Sequence, residues 1–213
     1  MKKVIAINGS PRKNWNTYML LENCLAGAHE NGAEIEMVNL YDLQYKGCNS
    51  CFVCKLKGST VSKCAMKDDL EIVLQKICDS DALVLGSPIY LGNITGEMKS
   101  FMERLLFPYI SYEGNPSTFG KKMNSIFFYT MNVGEDVFDV KGYRKIFEAN
   151  KEFMERIFGT STYSFSMATY QFDDYNKYAM TLIDGNERLK RRETLFVDEC
   201  KRAFLRGKSI FCL

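Results

Sequence analysis

The chain has 213 residues, of which 46% are hydrophobic and 25% charged, and its formal net charge is +2. This length and apolar content suffice for one domain with a substantial core, and the balanced charge argues against a nucleic-acid-binding protein. No segment is long enough for a membrane span, and the first apolar run is too short for a signal peptide. We therefore expect a cytoplasmic protein with no nucleic-acid or membrane partner.

Strands and helices are predicted to alternate along the chain. Apolar runs predict strands over 3–8, 34–40, 82–85, 123–131 and 160–170. Amphipathic patterns predict helices that begin near residues 16, 68, 95, 143 and 186, the last running to about 206. This alternation is typical of a parallel sheet with helices on both faces. No linker or internal repeat divides the chain, so we expect a single domain over residues 1–213.

Two loops begin with the same tripeptide, Gly-Ser-Pro, at 9–11 and 86–88. If the strand order is 2-1-3-4-5, the first and third strands are neighbours and both loops open at one edge of the sheet. The loop over 9–17 is rich in hydroxyl, amide and guanidinium donors ahead of a helix, which suits a phosphate. Taken alone, it is equally well explained as an ordinary capped turn.

The loop over 87–95 is apolar and aromatic with one side-chain amide, which suits a flat heterocycle. The loop over 9–17 contains neither a dinucleotide-binding Gly-x-Gly-x-x-Gly nor a Walker sequence. A flavin mononucleotide (FMN) combines an anionic tail with an apolar ring, so the two loops together predict FMN. His29 is the only histidine, which excludes a Ser-His-Asp or Cys-His triad, and we assign no catalytic residue.

Half of the eight cysteines lie in a cysteine-rich loop over residues 46–66. These four candidate metal ligands are Cys48, Cys51, Cys54 and Cys64. Three thiols at successive x2 spacing with a more remote fourth are typical of a [4Fe-4S] cluster, whereas structural zinc more often uses two separated pairs. The long gap before Cys64 and the lysines of this loop leave free thiols, zinc or a disulfide as alternatives.

Several motifs together resemble the NADPH-dependent FMN reductase family, most closely its iron-sulfur flavoprotein branch. They are Gly-Ser-Pro-Arg-Lys-Asn-x-Asn-Thr at 9–17, Gly-Cys-x-x-Cys-x-x-Cys at 47–54, Asp-Asp at 68–69, Ser-Pro-Ile-Tyr at 87–90, Gly-Asn-Ile-Thr-Gly-Glu-Met-Lys at 92–99 and Asp-Tyr-Asn-Lys-Tyr at 174–178. The resemblance covers roughly the whole chain and is densest over 1–106. It implies a flavodoxin-like three-layer α/β sandwich with a five-stranded parallel sheet, tightly bound FMN, and a homodimer or homotetramer.

The resemblance also implies which residues bind the cofactor. The phosphate would be held by the first loop, through Ser10, Arg12, Asn14, Asn16 and Thr17. The isoalloxazine ring would be held by Pro88, Ile89, Tyr90, Leu91, Gly92 and Asn93. A third wall would be formed by Thr130, Met131 and Asn132. Trp15 departs from the small residue usual in the family, and its indole is a candidate to shield the phosphate loop or alter access to it.

We expect an FMN-dependent oxidoreductase that accepts hydride from NAD(P)H as co-substrate and passes electrons to a quinone, a flavin or a redox protein. The alternative is an iron-sulfur flavoprotein that carries electrons between protein partners with FMN and a [4Fe-4S] cluster. A zinc-stabilised binding module without flavin is a weaker third possibility. The C-terminal extension, about 170–213, carries aromatic residues at 170, 172, 175 and 178, and we expect it to take part in subunit contacts.

Overall fold

The computed structural model describes residues 1–57 and 63–213, in which five parallel strands form the central sheet. The strands are β1 (Lys3–Asn8), β2 (Glu34–Asn39), β3 (Ala82–Tyr90), β5 (Asn124–Thr130) and β6 (Ser161–Ser166), in the order β2-β1-β3-β5-β6. A two-residue strand, β4 (Asn93–Ile94), pairs antiparallel with the end of β3. The five parallel strands confirm the predicted order 2-1-3-4-5, and β4 is an addition to it.

Helices cover both faces of the sheet, as the alternating pattern predicts. They are α1 (Asn16–Glu30), α2 (Leu70–Cys78), α3 (Gly96–Leu106), α4 (Glu135–Phe138), α5 (Tyr143–Phe158), α6 (Gly185–Glu193) and α7 (Leu195–Lys208). The sheet divides the core into two clusters because successive strand residues point to opposite faces. In β1, Ile5 and Ile7 pack on the side of α2, α3 and α5, whereas Val4 and Ala6 pack on the side of α1 and α7.

Helices α1 and α7 approach so closely that their backbones touch at two glycines. A Cβ atom added to Gly27 would lie 1.9 Å from the carbonyl oxygen of Phe204, and one added to Gly207 would lie 1.8 Å from that of Cys24. Real Cβ atoms do not come this close to backbone, so both positions require glycine at this crossing. The C-terminal helix is thereby packed directly against the first helix of the chain.

Three predicted boundaries were wrong. The third strand continues past Gly86 to Tyr90, because β5 pairs with it in parallel as far as Pro88. The final strand ends at Ser166 instead of at residue 170. The single last helix predicted over 186–206 is two helices that meet at Thr194, whose φ and ψ of −116° and −86° are not helical. Helix α6 buries none of its residues, whereas α7 buries Phe196 and Cys200. The two segments therefore differ in how they pack against the rest of the chain, and the break at Thr194 separates them.

A membrane-spanning helix needs about 20 mostly apolar residues to cross the hydrocarbon core of a lipid bilayer. Within residues 1–57 and 63–213, no helix is both long and apolar enough to cross it.

Candidate functional site

The two Gly-Ser-Pro loops meet at the carboxyl edge of neighbouring strands. Asn8 at the end of β1 lies in register with Gly86 in β3, and the Gly9 amide donates to the Gly86 carbonyl oxygen at 2.8 Å. Thr95, which caps α3 by accepting from the Met98 amide, donates its hydroxyl to the Gly9 carbonyl at 2.8 Å. The loops are therefore connected by hydrogen bonds in addition to sharing an edge.

The start of the first loop is held by Asn8, a residue that the sequence analysis did not assign to the site. Its side-chain oxygen accepts from the Ser10 amide at 3.1 Å, and its amide group donates to Asn39 of β2 at 2.9 Å. The buried Ser10 hydroxyl in turn accepts from the Arg12 amide at 3.2 Å. Asn14 has a positive φ of 60°, which turns the chain toward α1.

The N-terminus of α1 presents backbone donors at the end of this loop. The first intrahelical bond runs from the Met19 amide to the Trp15 carbonyl, so the amides of residues 16, 17 and 18 precede it. Trp15 supplies no side-chain cap, and the first turn contains no acidic residue. Amides that lie ahead of the first intrahelical bond and the positive end of a helix together favour an anion at this point.

Two side chains predicted to hold a phosphate already have partners within the protein. The buried Thr17 hydroxyl lies 2.7 Å from that of Thr130 at the end of β5. The buried Asn16 side chain donates to the Tyr170 carbonyl at 2.8 Å and accepts from Arg192. These contacts join the first loop to the third wall and to the C-terminal segment, so backbone amides are its main donors toward an anion.

The second loop is a hairpin between β3 and β4. Ile89 pairs with Ile94, and the turn contains Leu91 and Gly92 at φ values of 48° and 87°. Pro88 and Ile89 are half-buried, whereas Tyr90 and Asn93 are exposed and Leu91 is fully exposed. Burial raises the pKa of Tyr90, and the charge of nearby Arg12 opposes this shift. The hairpin therefore places an aromatic and apolar surface beside the first loop.

The third wall follows β5 and is supported by a segment that the sequence analysis did not assign to the site. Thr130 and Met131 are buried, and the Met131 carbonyl accepts both the amide and the hydroxyl of Thr169, at 3.0 and 3.1 Å. The Asn132 carbonyl accepts from Arg188 of α6 at 3.2 Å. The Asn132 side-chain oxygen is buried and, within the described residues, has no hydrogen-bond partner. A buried acceptor without a donor fits a ligand that supplies one.

The four candidate metal ligands line one small cavity next to Arg104. Ser50 and Phe52, which alternate with these cysteines, have positive φ values of 57° and 54° and curl the loop. All four cysteines are free thiols. Among the residues described, however, no three cysteine, histidine or acidic side chains converge closely enough to hold a metal ion. The loop therefore collects the four thiols on one cavity without arranging them as a complete ligand set.

Arg104 is a fully buried guanidinium at the base of this cavity. It donates through Nε to the Cys64 sulfur at 2.8 Å, through Nη1 to the Lys46 carbonyl, and through both terminal nitrogens to Asp68, at 2.7 and 3.0 Å. These bonds lower the pKa of Asp68, with burial opposing the shift. Asp68 also accepts from the Leu70 amide at the start of α2, as its predicted helix-start role requires. The sequence feature that could have pointed to this role of Arg104 is its position as a charged residue on the apolar face of α3.

The aromatic segment predicted for subunit contact partly packs within its own chain. Tyr170 stacks on Trp15 with ring centroids 6.3 Å apart, and its carbonyl oxygen accepts from the Trp15 indole nitrogen at 3.1 Å. Tyr178 stacks on Phe172 at 4.0 Å and remains 51% exposed. Trp15 thus contacts the C-terminal segment, which the sequence analysis did not foresee.

Residues 2–134 match the model of the family described as NADPH-dependent FMN reductase. The chain belongs to this family. Curated relatives agree: an iron-sulfur flavoprotein of Methanocaldococcus jannaschii is 38% identical over 102 residues, which cover 48% of this chain and 51% of the relative. Another, from Archaeoglobus fulgidus, is 43% identical over 102 residues and 48% of each chain. The matches thus span about half the length of these relatives.

Solved structures of other proteins show the same flavodoxin-like fold. An NAD(P)H:quinone oxidoreductase from Methanothermobacter marburgensis superposes with a TM-score of 0.69 at 14% identity, covering 98% of this chain and 96% of that one. An azoreductase from Bacillus anthracis has a TM-score of 0.67 at 12% identity, covering 98% and 100%. At these identities the likeness concerns the fold alone.

The family segment contains the first loop, the hairpin and the third wall, but it ends before the C-terminal segment. The residues present fit FMN in three respects: a helix N-terminus without acids for its phosphate, half-buried Pro88 and Ile89 for its ring, and the buried Asn132 oxygen for a donor on the ligand. Tyr170, Arg188 and Arg192, which contact these elements, lie outside the matched residues.

Proposed function

We propose that this protein is an FMN-dependent oxidoreductase that accepts hydride from NAD(P)H and passes electrons to a quinone, a flavin or a redox protein. The observation that carries this proposal is the meeting of the first loop, the hairpin and the third wall at one sheet edge, within the segment matched by the family model. Bound FMN supplies the hydride-accepting chemistry, and the protein positions it.

We assign each residue a role that its surroundings support. The amides at the start of α1, with Ser10 and Arg12, bind the phosphate, and Asn14 sets the turn before them. Pro88, Ile89 and Tyr90 contact the ring, and Leu91 to Asn93 shape the hairpin beside it. The Asn132 side chain accepts a hydrogen bond from the flavin.

The first experiment identifies the cofactor and the donor. The full chain, purified anaerobically, is expected to show flavin absorbance, and the flavin released on denaturation is expected to be FMN. Addition of NADPH or NADH is expected to bleach this absorbance, and subsequent addition of a quinone to restore it. A colourless protein that also fails to bind added FMN would refute the proposal.

The second experiment tests the Asn132 contact. Asn132→Ala is expected to weaken FMN binding about fivefold to tenfold, since one hydrogen bond contributes about 1 kcal/mol. It should not destabilise the flavin-free chain, because this oxygen has no hydrogen-bond partner among residues 1–57 and 63–213. Asn150→Ala is the matched control: Asn150 is also buried but donates to the Tyr129 hydroxyl, so this variant should lose stability and keep its FMN affinity. Unchanged FMN affinity of Asn132→Ala contradicts the assigned contact.

A second candidate function is electron transfer through FMN and a [4Fe-4S] cluster bound by Cys48, Cys51, Cys54 and Cys64. The specific observation in its favour is that these four thiols line one cavity, and the curated relatives are named iron-sulfur flavoproteins. Against it stand two observations on the described residues: the thiols do not converge on one point, and Arg104 donates a hydrogen bond to the Cys64 sulfur.

Metal analysis distinguishes the two functions. If the carrier function holds, anaerobically purified protein contains about four irons per chain and a broad absorbance beyond the flavin bands. Cys54→Ser should then lose iron, whereas Cys212→Ser, an exposed cysteine elsewhere in the chain, should retain it. Iron-free protein that still oxidises NAD(P)H supports the reductase function alone.

A further inference from the structure

Helix α6 contacts both the first loop and the third wall through arginines. Arg192 donates through one terminal nitrogen to the Asn16 side-chain oxygen and through the other to the Met19 sulfur at 3.0 Å. Arg188, one turn earlier, donates to the Asn132 carbonyl. Neither arginine belongs to the segment that the family model matches. The C-terminal segment therefore adds contacts to a site whose walls come from the first part of the chain.

The Asn16 amide has a single orientation in this arrangement. Its oxygen accepts from Arg192, and its nitrogen donates to the Tyr170 carbonyl at 2.8 Å. An amide oxygen that faced a phosphate would repel it, whereas the amide nitrogen carries two hydrogens and retains a second donor. Because Arg192 has no acceptor atom, its bond to Asn16 is compatible only with the oxygen on that side.

The charges around Trp15 are unbalanced in favour of an anion. The guanidinium of Arg12 lies 4.0 Å from the centre of the indole ring, and that of Arg192 lies 5.3 Å from it. In the described part of the chain, no carboxylate lies within 4.0 Å of either guanidinium. Burial, with a smaller contribution from Arg12, lowers the pKa of Arg192. Among the described residues, these two cations beside the positive end of α1 are therefore not ion-paired, although the charge of Asp173 acts on Arg192 from a greater distance.

We propose that Arg192 is a positioning residue for the phosphate of the bound FMN: it fixes the Asn16 side chain so that the amide oxygen cannot face the anion. This inference rests on the proposed FMN site. It makes phosphate binding depend on the docking of α6 against the first loop. Trp15 supports the same geometry, because its indole nitrogen and the Asn16 side-chain nitrogen both donate hydrogen bonds to the Tyr170 carbonyl oxygen.

The test compares FMN with riboflavin, which has the same ring but no phosphate. The flavin-free full chain is titrated with each ligand, and quenching of flavin fluorescence gives the Kd. Arg192→Gln is expected to raise the Kd for FMN about tenfold and to change that for riboflavin by less than about twofold. Arg191→Gln is the matched control, since Arg191 on the same helix pairs with Glu199 at 2.6 Å and has no bond to Asn16. It should leave both Kd values unchanged.

Arg192→Lys keeps the positive charge but loses the planar guanidinium, so its Kd for FMN should rise less than that of Arg192→Gln. If the glutamine variant does not fold, the lysine variant is used for the test instead. An unchanged Kd for FMN, or equal losses for FMN and riboflavin, would overturn the positioning role. Equal Kd values of the wild-type chain for FMN and riboflavin would overturn it as well, because the phosphate would then add no affinity. Failure of the wild type to bind either flavin would instead refute the proposed function.

Discussion

At the scale of single residues, Arg104 and Asp68 form the most heavily buried charged contact described above. The Arg104 side chain is fully buried and that of Asp68 is 16% exposed. A guanidinium left in this position without its carboxylate would be an uncompensated buried charge, which is far more costly than the loss of a surface ion pair. Arg104 also donates a hydrogen bond to the Cys64 sulfur. The pair therefore connects the cysteine-rich loop to α2 and α3.

Asp68→Ala is therefore expected to reduce the free energy of unfolding by about 3 kcal/mol at neutral pH. Urea unfolding of the full chain measures this difference. The neighbouring Asp69→Ala is the control, because Asp69 accepts one backbone bond, from Gln44, and should cost about 1 kcal/mol. Equal losses for the two variants would contradict the special role of Asp68.

The same pair predicts how stability depends on pH. Because folding lowers the pKa of Asp68, its contribution is complete above the unfolded pKa of about 4 and decreases as the pH falls through the lower folded value. The stability difference between the wild type and Asp68→Ala should thus be constant from pH 8 to about 5 and shrink below about pH 4. A difference that grows on acidification would exclude this linkage.

Leu91 is a second residue in an unusual environment, since it is fully exposed and has a positive φ of 48°. The left-handed conformation costs a non-glycine residue about 1 kcal/mol, whereas glycine adopts it freely but loses more entropy on folding. Leu91→Gly should therefore stabilise the flavin-free chain by about 0.5 kcal/mol, as measured by thermal unfolding. If the strain serves the hairpin's contact with the flavin, the same variant weakens FMN binding.

At the scale of elements, the crossing of α1 and α7 decides how the C-terminal segment is held. Glycine is a poor helix former, and alanine at Gly27 would gain about 1 kcal/mol from propensity alone. The added Cβ would nevertheless lie 1.9 Å from the backbone of α7, and backbone cannot move aside as the tip of a flexible side chain can. Packing is therefore expected to outweigh propensity at this position.

Gly27→Ala should accordingly destabilise the chain by about 2 kcal/mol or more. Gly96→Ala is the matched control, because Gly96 begins α3 and a Cβ there would meet no atom within 4 Å. That variant should be neutral or slightly stabilising. Thermal unfolding of both variants provides the comparison, and a stable Gly27→Ala would mean that the two helices can separate without cost.

At the scale of the whole molecule, the two core clusters lie on opposite faces of one sheet and share its strands. The C-terminal helix contributes Phe196 and Cys200 to the cluster that covers α1. Loss of that packing therefore affects the same helix whose N-terminus faces the proposed phosphate. This arrangement predicts that residues 1–213 unfold as one cooperative unit, as expected for a single domain.

Phe196→Ala is expected to lower the free energy of unfolding by about 3 kcal/mol, because the side chain is fully enclosed. Trp15 is the only tryptophan, so its fluorescence reports on the first loop, while far-ultraviolet circular dichroism reports on the whole chain. The midpoints of both signals should fall together. Leu195→Ala, at an exposed neighbouring position, should change neither by more than about 0.5 kcal/mol. Separate transitions would show that the C-terminal segment folds independently.

Much of this architecture was predictable from the sequence because its signals are local. Apolar runs and helical periodicity indicated alternating strands and helices, and the tripeptide at 9–11 and 86–88 suggested that two loops share an edge. The strand order itself came from the family resemblance. The boundaries near Gly86 and Thr194 were wrong, since pairing with β5 extends one element and the burial of Phe196 redirects the other. Neither strand pairing nor burial can be read from the local propensity of the residues.

For the proposed site, the sequence by itself determined two features, a first loop rich in donors and an apolar second loop, and the family resemblance added Asn132 after β5. Only the tertiary structure decided that Asn16 and Thr17 are engaged by Arg192 and Thr130, and that Arg104 bonds to Cys64. Those contacts join residues 40 to 176 positions apart. The side chains that meet at such distances depend on how the sheet and its helices pack, which no local pattern records.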